Sequence, residues 1–95
     1  MKIADAIRSQ NVLTFNYHGH PRVVEPHTYG IDQKGHNALR AYQIGGTSDS
    51  GRIPSFRIFH ESEIVALSVS EQKFAGRRPG YVANDPLFAT IYAQL

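Results

Sequence analysis

Val12-Leu13-Thr14-Phe15-Asn16-Tyr17, then His18-Gly19-His20-Pro21, then Arg22 through Ile31 form the stretch whose reading sets the fold class. In the first run Leu13, Phe15 and Tyr17 alternate with Val12, Thr14 and Asn16, the period of two that marks a half-buried strand. The segment from His18 to Pro21 carries Gly and Pro and reads as a turn. Arg22 to Ile31 is then a second strand. Pro26 has no N–H to give to a ladder, so an edge or a bend is predicted near it.

The same alternation continues outward. Asp32-Gln33-Lys34-Gly35-His36 is a turn, and Ala38 to Ile44 is a third strand with Leu39, Ala41 and Gln43 on one face and Arg40, Tyr42 and Ile44 on the other. Gly45 to Pro54 is a loop rich in Gly, Ser and Asp. Ser55 to His60 is a fourth strand, with Phe56 and Ile58 opposed to Arg57 and Phe59. Glu61-Ser62-Glu63 gives a short turn, Ile64 to Val69 carries a fifth strand or a helical turn leading into one, and Ala75 to Ala83 is irregular. Before the first strand, Ile3, Ala6 and Ile7 share one face of a short helix over Lys2 to Gln10, with Asn11 suited to its end. At the other end, Asp85-Pro86 has the residues of a helix start, and Leu87, Ile91 and Leu95 recur at helical spacing beside Phe88 and Tyr92. The order predicts a mainly β protein: a small barrel of about five strands with a short helix at each end.

The chain has 95 residues, enough for a single domain over 1–95 with a thin core. Hydrophobic residues at 41% and charged residues at 19% exclude a disordered chain. The absence of Cys removes disulfides, thiolate metal sites and cysteine nucleophiles. No apolar run approaches the length of a membrane span, and Met1 to Asp5 lead into no signal-peptide core, so a cytoplasmic location without membrane contact is expected. The net charge of +2 is far from that of a histone-like protein, but seven of the ten basic residues are Arg, the side chain suited to bidentate phosphate or carboxylate recognition.

The histidines at 18, 20, 27, 36 and 60 match no zinc spacing of known type, and no metal or other cofactor is expected. No nucleophile elbow is present, and Gly45-Gly46-Thr47-Ser48 lacks the Lys of a phosphate loop. No acid–base pair can be nominated, so an enzyme is not expected. Arg22, Arg40 and Arg57 are more informative, because each falls inside a different strand. The plain reading is three solvated positions. The sharper one is a shared anion site with Tyr17 and Tyr42 beside it, Arg for phosphate and a ring for a base. The apolar C-terminal stripe reads as core packing or as the contact of a homodimer.

Read together, Leu13-x-Phe15-x-Tyr17, Arg22-Val23-Val24-Glu25-Pro26-His27, Leu39-Arg40-Ala41-Tyr42 and Phe56-Arg57-Ile58-Phe59, with Ile64 closing, resemble the WYL domain family. The resemblance covers a core of about residues 3–67, with a C-terminal extension over 70–95. Asn37-Ala38-Leu39 stands where the family has its naming Trp-Tyr-Leu. His60, Ser62 and Glu63 stand where it has Arg, Asp and Arg. The resemblance implies an SH3-like or Sm-like small barrel whose ligand residues carry over as Tyr17, Arg22 and Arg57, with His60 standing in for an Arg. It also implies a role in sensing single-stranded nucleic acid or a nucleotide-like ligand, as an accessory module of a bacterial transcription-regulatory or phage-defence system. The family's usual helix-turn-helix is not in this sequence. The alternative is a protein-interaction adaptor, with a protein partner and a vestigial pocket.

Overall fold

The computed structural model describes residues 2–95. One helix, α1 (Lys2–Ser9), precedes six strands: β1 (Asn11–Tyr17), β2 (His20–Asp32), β3 (Asn37–Gly46), β4 (Ser55–His60), β5 (Val65–Lys73) and β6 (Phe88–Gln94). A 3-10 turn (Glu61–Glu63) joins β4 to β5. The protein is mainly β, and no described helix is long and apolar enough to cross a membrane.

β2 organises the sheet. β3 pairs antiparallel along one side of it from Arg22 to Ile31. β1 takes β2 from His20 to Val24, and β6 takes it from Thr28 to Asp32. Pro26, with no N–H to donate, falls between the β1 and β6 pairings and next to a register shift, so β2 carries a proline while remaining central. The main path runs β4-β3-β2-β1-β5, with β6 on β2 off that path. No ladder joins β4 to β5, so the sheet is not closed into the expected barrel.

The C-terminal helix predicted from Asp85-Pro86 does not form. Asp85 instead opens a β-turn: its carbonyl accepts the N–H of Phe88 at 3.1 Å and its Oδ1 that of Leu87 at 2.9 Å. The following Phe-Ala-Thr-Ile-Tyr run suits a strand, and the far half of β2 offers it an open edge. Gly30 marks where β6 arrives, because a Cβ there would meet the Thr90 carbonyl oxygen at 2.0 Å. Leu87 is left exposed while Tyr92 and Leu95 pack against the core, so the helical stripe that suggested a homodimer is absent. At the other end, the chain leaves α1 at Gln10, in left-handed conformation at φ 58°, one residue before the predicted stop.

The main core lies between α1 and the inner sheet face. Ile3, Ile7, Leu13, Phe15, Leu39 and Phe59 are all buried there. The opposite face is covered by the irregular segment after β5, which brings Phe74, Arg78 and Tyr81 over His27. His27 is fully buried. Its Nδ1 lies 2.7 Å from the Glu25 carbonyl, to which it donates, and its Nε2 accepts the Arg78 N–H at 3.1 Å. These partners suit only the neutral ring, and burial pushes its pKa below the usual histidine value.

The unfolded chain therefore takes up this proton at a higher pH than the folded one. His27's contribution to stability should be complete above about pH 6.5 and fall as pH drops below it, by at most about 1.4 kcal/mol per pH unit. Urea unfolding between pH 7.5 and 5 reads this directly. His27→Gln should flatten the profile in that window, and an equally steep profile in the variant would assign the loss to other groups.

Candidate functional site

Arg22 and Arg57 come together at one end of the inner face. Arg22 lies on β2 beside β1, opposite Phe15, and Arg57 lies on β4 opposite Ala41 of β3. Both line a cleft of about 410 Å³, together with Tyr17, His18, Ser48 and Asp49.

Arg22 is 5% exposed, which is rare for an unpaired charge. Its Nη1 donates to Gln43 Oε1 at 3.2 Å and its Nη2 to the Tyr17 carbonyl at 3.1 Å. Its guanidinium carbon sits 5.6 Å from the ring centres of both Tyr17 and Phe59. Burial lowers its pKa, and the nearby charge of Arg57 acts in the same direction, while the Asp49 carboxylate opposes them. Arg57 donates from Nη2 to Ser48 Oγ at 2.9 Å, to Ser50 Oγ at 2.8 Å and to the Arg52 carbonyl at 2.8 Å. The Nε atoms of Arg22 and Arg57 are buried without a hydrogen-bond partner. Among the described residues neither guanidinium forms an ion pair, whereas Arg8, Arg40 and Arg78 pair with Asp5, Asp85 and Glu25.

The loop after β3 forms the cleft's rim. Gly46, at φ +83°, allows the exit: a Cβ there would meet the Pro21 carbonyl oxygen at 2.0 Å. His20 then holds the loop through Thr47 Oγ1 at 2.9 Å and Asp49 Oδ1 at 2.7 Å. That contact with His20 lowers the Asp49 pKa, so the carboxylate nearest the cleft is already engaged. Ser48 and Ser50 both accept from Arg57 and lie 3.4 Å apart, so that one hydroxyl donates to the other and the second can serve a further acceptor.

Tyr17 lines the cleft but is buried, so its ring is not a stacking platform. It forms the floor, edge-on to Phe59 at 5.0 Å, while the exposed ring of His18 stacks on it at 4.2 Å. Its hydroxyl accepts the His60 backbone N–H and donates to Glu63 Oε2, both at 3.1 Å. Burial raises its pKa, which keeps that donor protonated.

Three expected site residues lie elsewhere. Arg40 and Tyr42 project from the opposite face of β3: Arg40 pairs with Asp85 at 3.3 Å, and Tyr42 packs against Phe56 with the Arg78 guanidinium above it. His60 does not line the cleft, and its imidazole faces Asp32 and His36. Gln43 was not among the expected residues. It is fully buried and directs Oε1 at Arg22, while its Nε2 donates to the carbonyls of Gly45 and Thr47. A polar residue on the face shared by Leu39 and Ala41 was its signal in the sequence. The arrangement offers two positive groups and serine hydroxyls around a small cleft, the chemistry that receives an anion. Comparison with protein-family models, with curated proteins and with solved structures returns no match to this chain.

Proposed function

We propose that the chain is a ligand-sensing module that binds the phosphate groups of a single-stranded nucleic acid or a nucleotide-like anion through Arg22 and Arg57. One observation carries this reading: a buried guanidinium and its neighbour converge on a cleft, each with an unpartnered Nε and, among the described residues, neither in a contact ion pair. Asp49 acts on Arg22 only through space and is hydrogen-bonded to His20; a buried charge without a contact ion pair is costly, and an incoming phosphate would offset that cost. The exposed ring of His18 gives a base a surface to stack on.

The WYL resemblance supplies the wider frame of this proposal. In this frame the strand path β4-β3-β2-β1-β5, with a 3-10 turn between β4 and β5, is read as an SH3-like strand order whose sheet stays open. In that frame the module is an accessory part of a bacterial regulatory or phage-defence system. The adaptor reading rests on β5, an edge strand that leaves Val65 and Val69 exposed.

Fluorescence anisotropy with a labelled short oligonucleotide across a salt series tests the proposal. Binding should be weak, with a salt slope of roughly −0.7 per phosphate neutralised and about two or three phosphates engaged. Arg22→Ala and Arg57→Ala should each weaken it by about 1–3 kcal/mol. Arg8→Ala, paired with Asp5 on α1, is the control and should change little. No binding at low salt, or equal binding after both substitutions, would overturn the proposal in favour of the adaptor.

A further inference from the structure

We propose that Asp32, His36 and His60 form a binding site for one borderline divalent metal ion of the zinc, cobalt or nickel type. The topology assembles them. Asp32 ends β2, His36 closes the turn before β3, and His60 ends β4 opposite Ala38, beside that turn. The Asp32 carboxylate is already oriented: its Oδ1 accepts the N–H groups of Lys34 and His36, each at 2.9 Å. That leaves Oδ2 facing His36 Nδ1 at 3.4 Å and His60 Nε2 at 3.8 Å. The two imidazoles lie 4.9 Å apart, centre to centre, and all three donor atoms lie within 4.8 Å of one another.

Bonds of about 2.0–2.2 Å around a tetrahedral ion put its ligand atoms about 3.4 Å apart. The carboxylate-to-imidazole spacings are already close to that. A modest turn of the exposed His36 ring would bring in the third donor. Two imidazole nitrogens with one carboxylate suit a borderline ion and not calcium or magnesium, which prefer all-oxygen sites. Glu63 Oε2 lies 3.7 Å from His60 Nδ1, on the side of the ring away from Asp32. A carboxylate there favours the tautomer with Nδ1 protonated and Nε2 free to ligate. Three protein ligands would leave the ion a position for water or an anion. The histidine spacings in the sequence gave no metal site because these residues meet only through the β2–β3 turn and the β3–β4 register.

Calorimetric titration of tag-free protein with zinc chloride tests the proposal, with visible absorption of the cobalt(II) complex as a second readout. About one ion per chain should bind. His36→Ala, His60→Ala and Asp32→Asn should each weaken binding at least tenfold and remove the cobalt band. His20→Ala, which removes another carboxylate-paired histidine, should leave affinity unchanged. His36 is on an exposed turn, so that variant remains informative even if His60→Ala unfolds. Absence of uptake, or uptake that His36→Ala does not weaken, overturns the site.

Discussion

Phe59→Ala should destabilise the protein by about 3–5 kcal/mol, the range for removing a fully buried aromatic ring. Phe59 is 1% exposed and meets the edges of Phe15 and Tyr17 at 5.0 Å each. It links α1's core to the candidate site, since the Arg22 guanidinium also lies over its ring. Truncation would leave a cavity on one side and remove an aromatic face from a buried charge on the other. A domain of this size has about 5–15 kcal/mol of total stability, so the variant should approach unfolding at physiological temperature. Urea unfolding with an unchanged m-value measures the loss. Phe59→Leu, which refills most of the volume, should lose clearly less. A loss below about 1 kcal/mol for the alanine variant would mean that the core collapses around the gap and that Phe59 does not support Arg22.

The parts of this fold that were legible in the sequence are those in which one strand decides its own pattern. Leu13, Phe15 and Tyr17 alternate inward on β1, as do Leu39, Ala41 and Gln43 on β3, and the structure buries all six. The C-terminal segment was not legible in this way. Leu87, Ile91 and Leu95 fit a helical period, but the open half of β2 is a tertiary partner that no local pattern reveals. The convergence of Arg22 and Arg57 also depends on strand order, which brings β4 to β2 through β3. Strand parity, however, already separated some candidates. Arg40 and Tyr42 alternate with Leu39 and Ala41, so a buried inner face sends them outward. His60 has the parity of Phe56 and Ile58, opposite to Arg57. The reading of one arginine per strand as a shared site brought Arg40 and Tyr42 into the pocket, and resemblance to a family's ligand residues brought His60, where parity placed none of the three. The covering of the outer face by Arg78, which donates to both Glu25 carboxylate oxygens at 2.7 and 2.9 Å, crosses an irregular segment and had no periodic signal.

Gln43→Leu should lower stability by about 2–4 kcal/mol and weaken oligonucleotide binding at the same time. The side chain is fully buried, and each of its polar atoms is engaged. Leucine of similar volume would fill the space. It would leave the Gly45 and Thr47 carbonyls without this donor, and Arg22 Nη1 without its acceptor. Losing one partner of a buried hydrogen bond costs about 1–3 kcal/mol, and nearby water can recover part of that at the loop end of β3. The effect on binding follows from position. Gln43 ties the loop that carries Ser48 and Ser50 to the guanidinium of Arg22, and so sets the two sides of the cleft relative to each other. A residue with a purely structural role would lower the unfolding midpoint and leave the affinity of the folded protein intact. A positioning residue lowers both, and the affinity loss persists at temperatures where the variant is fully folded. Anisotropy on Gln43→Leu at low temperature, with circular dichroism on the same samples, separates the two. Wild-type affinity in a fully folded variant would show that Arg22 finds its place without Gln43, and that the other contacts of the cleft, those of Tyr17, Phe59 and His20, suffice to set its geometry.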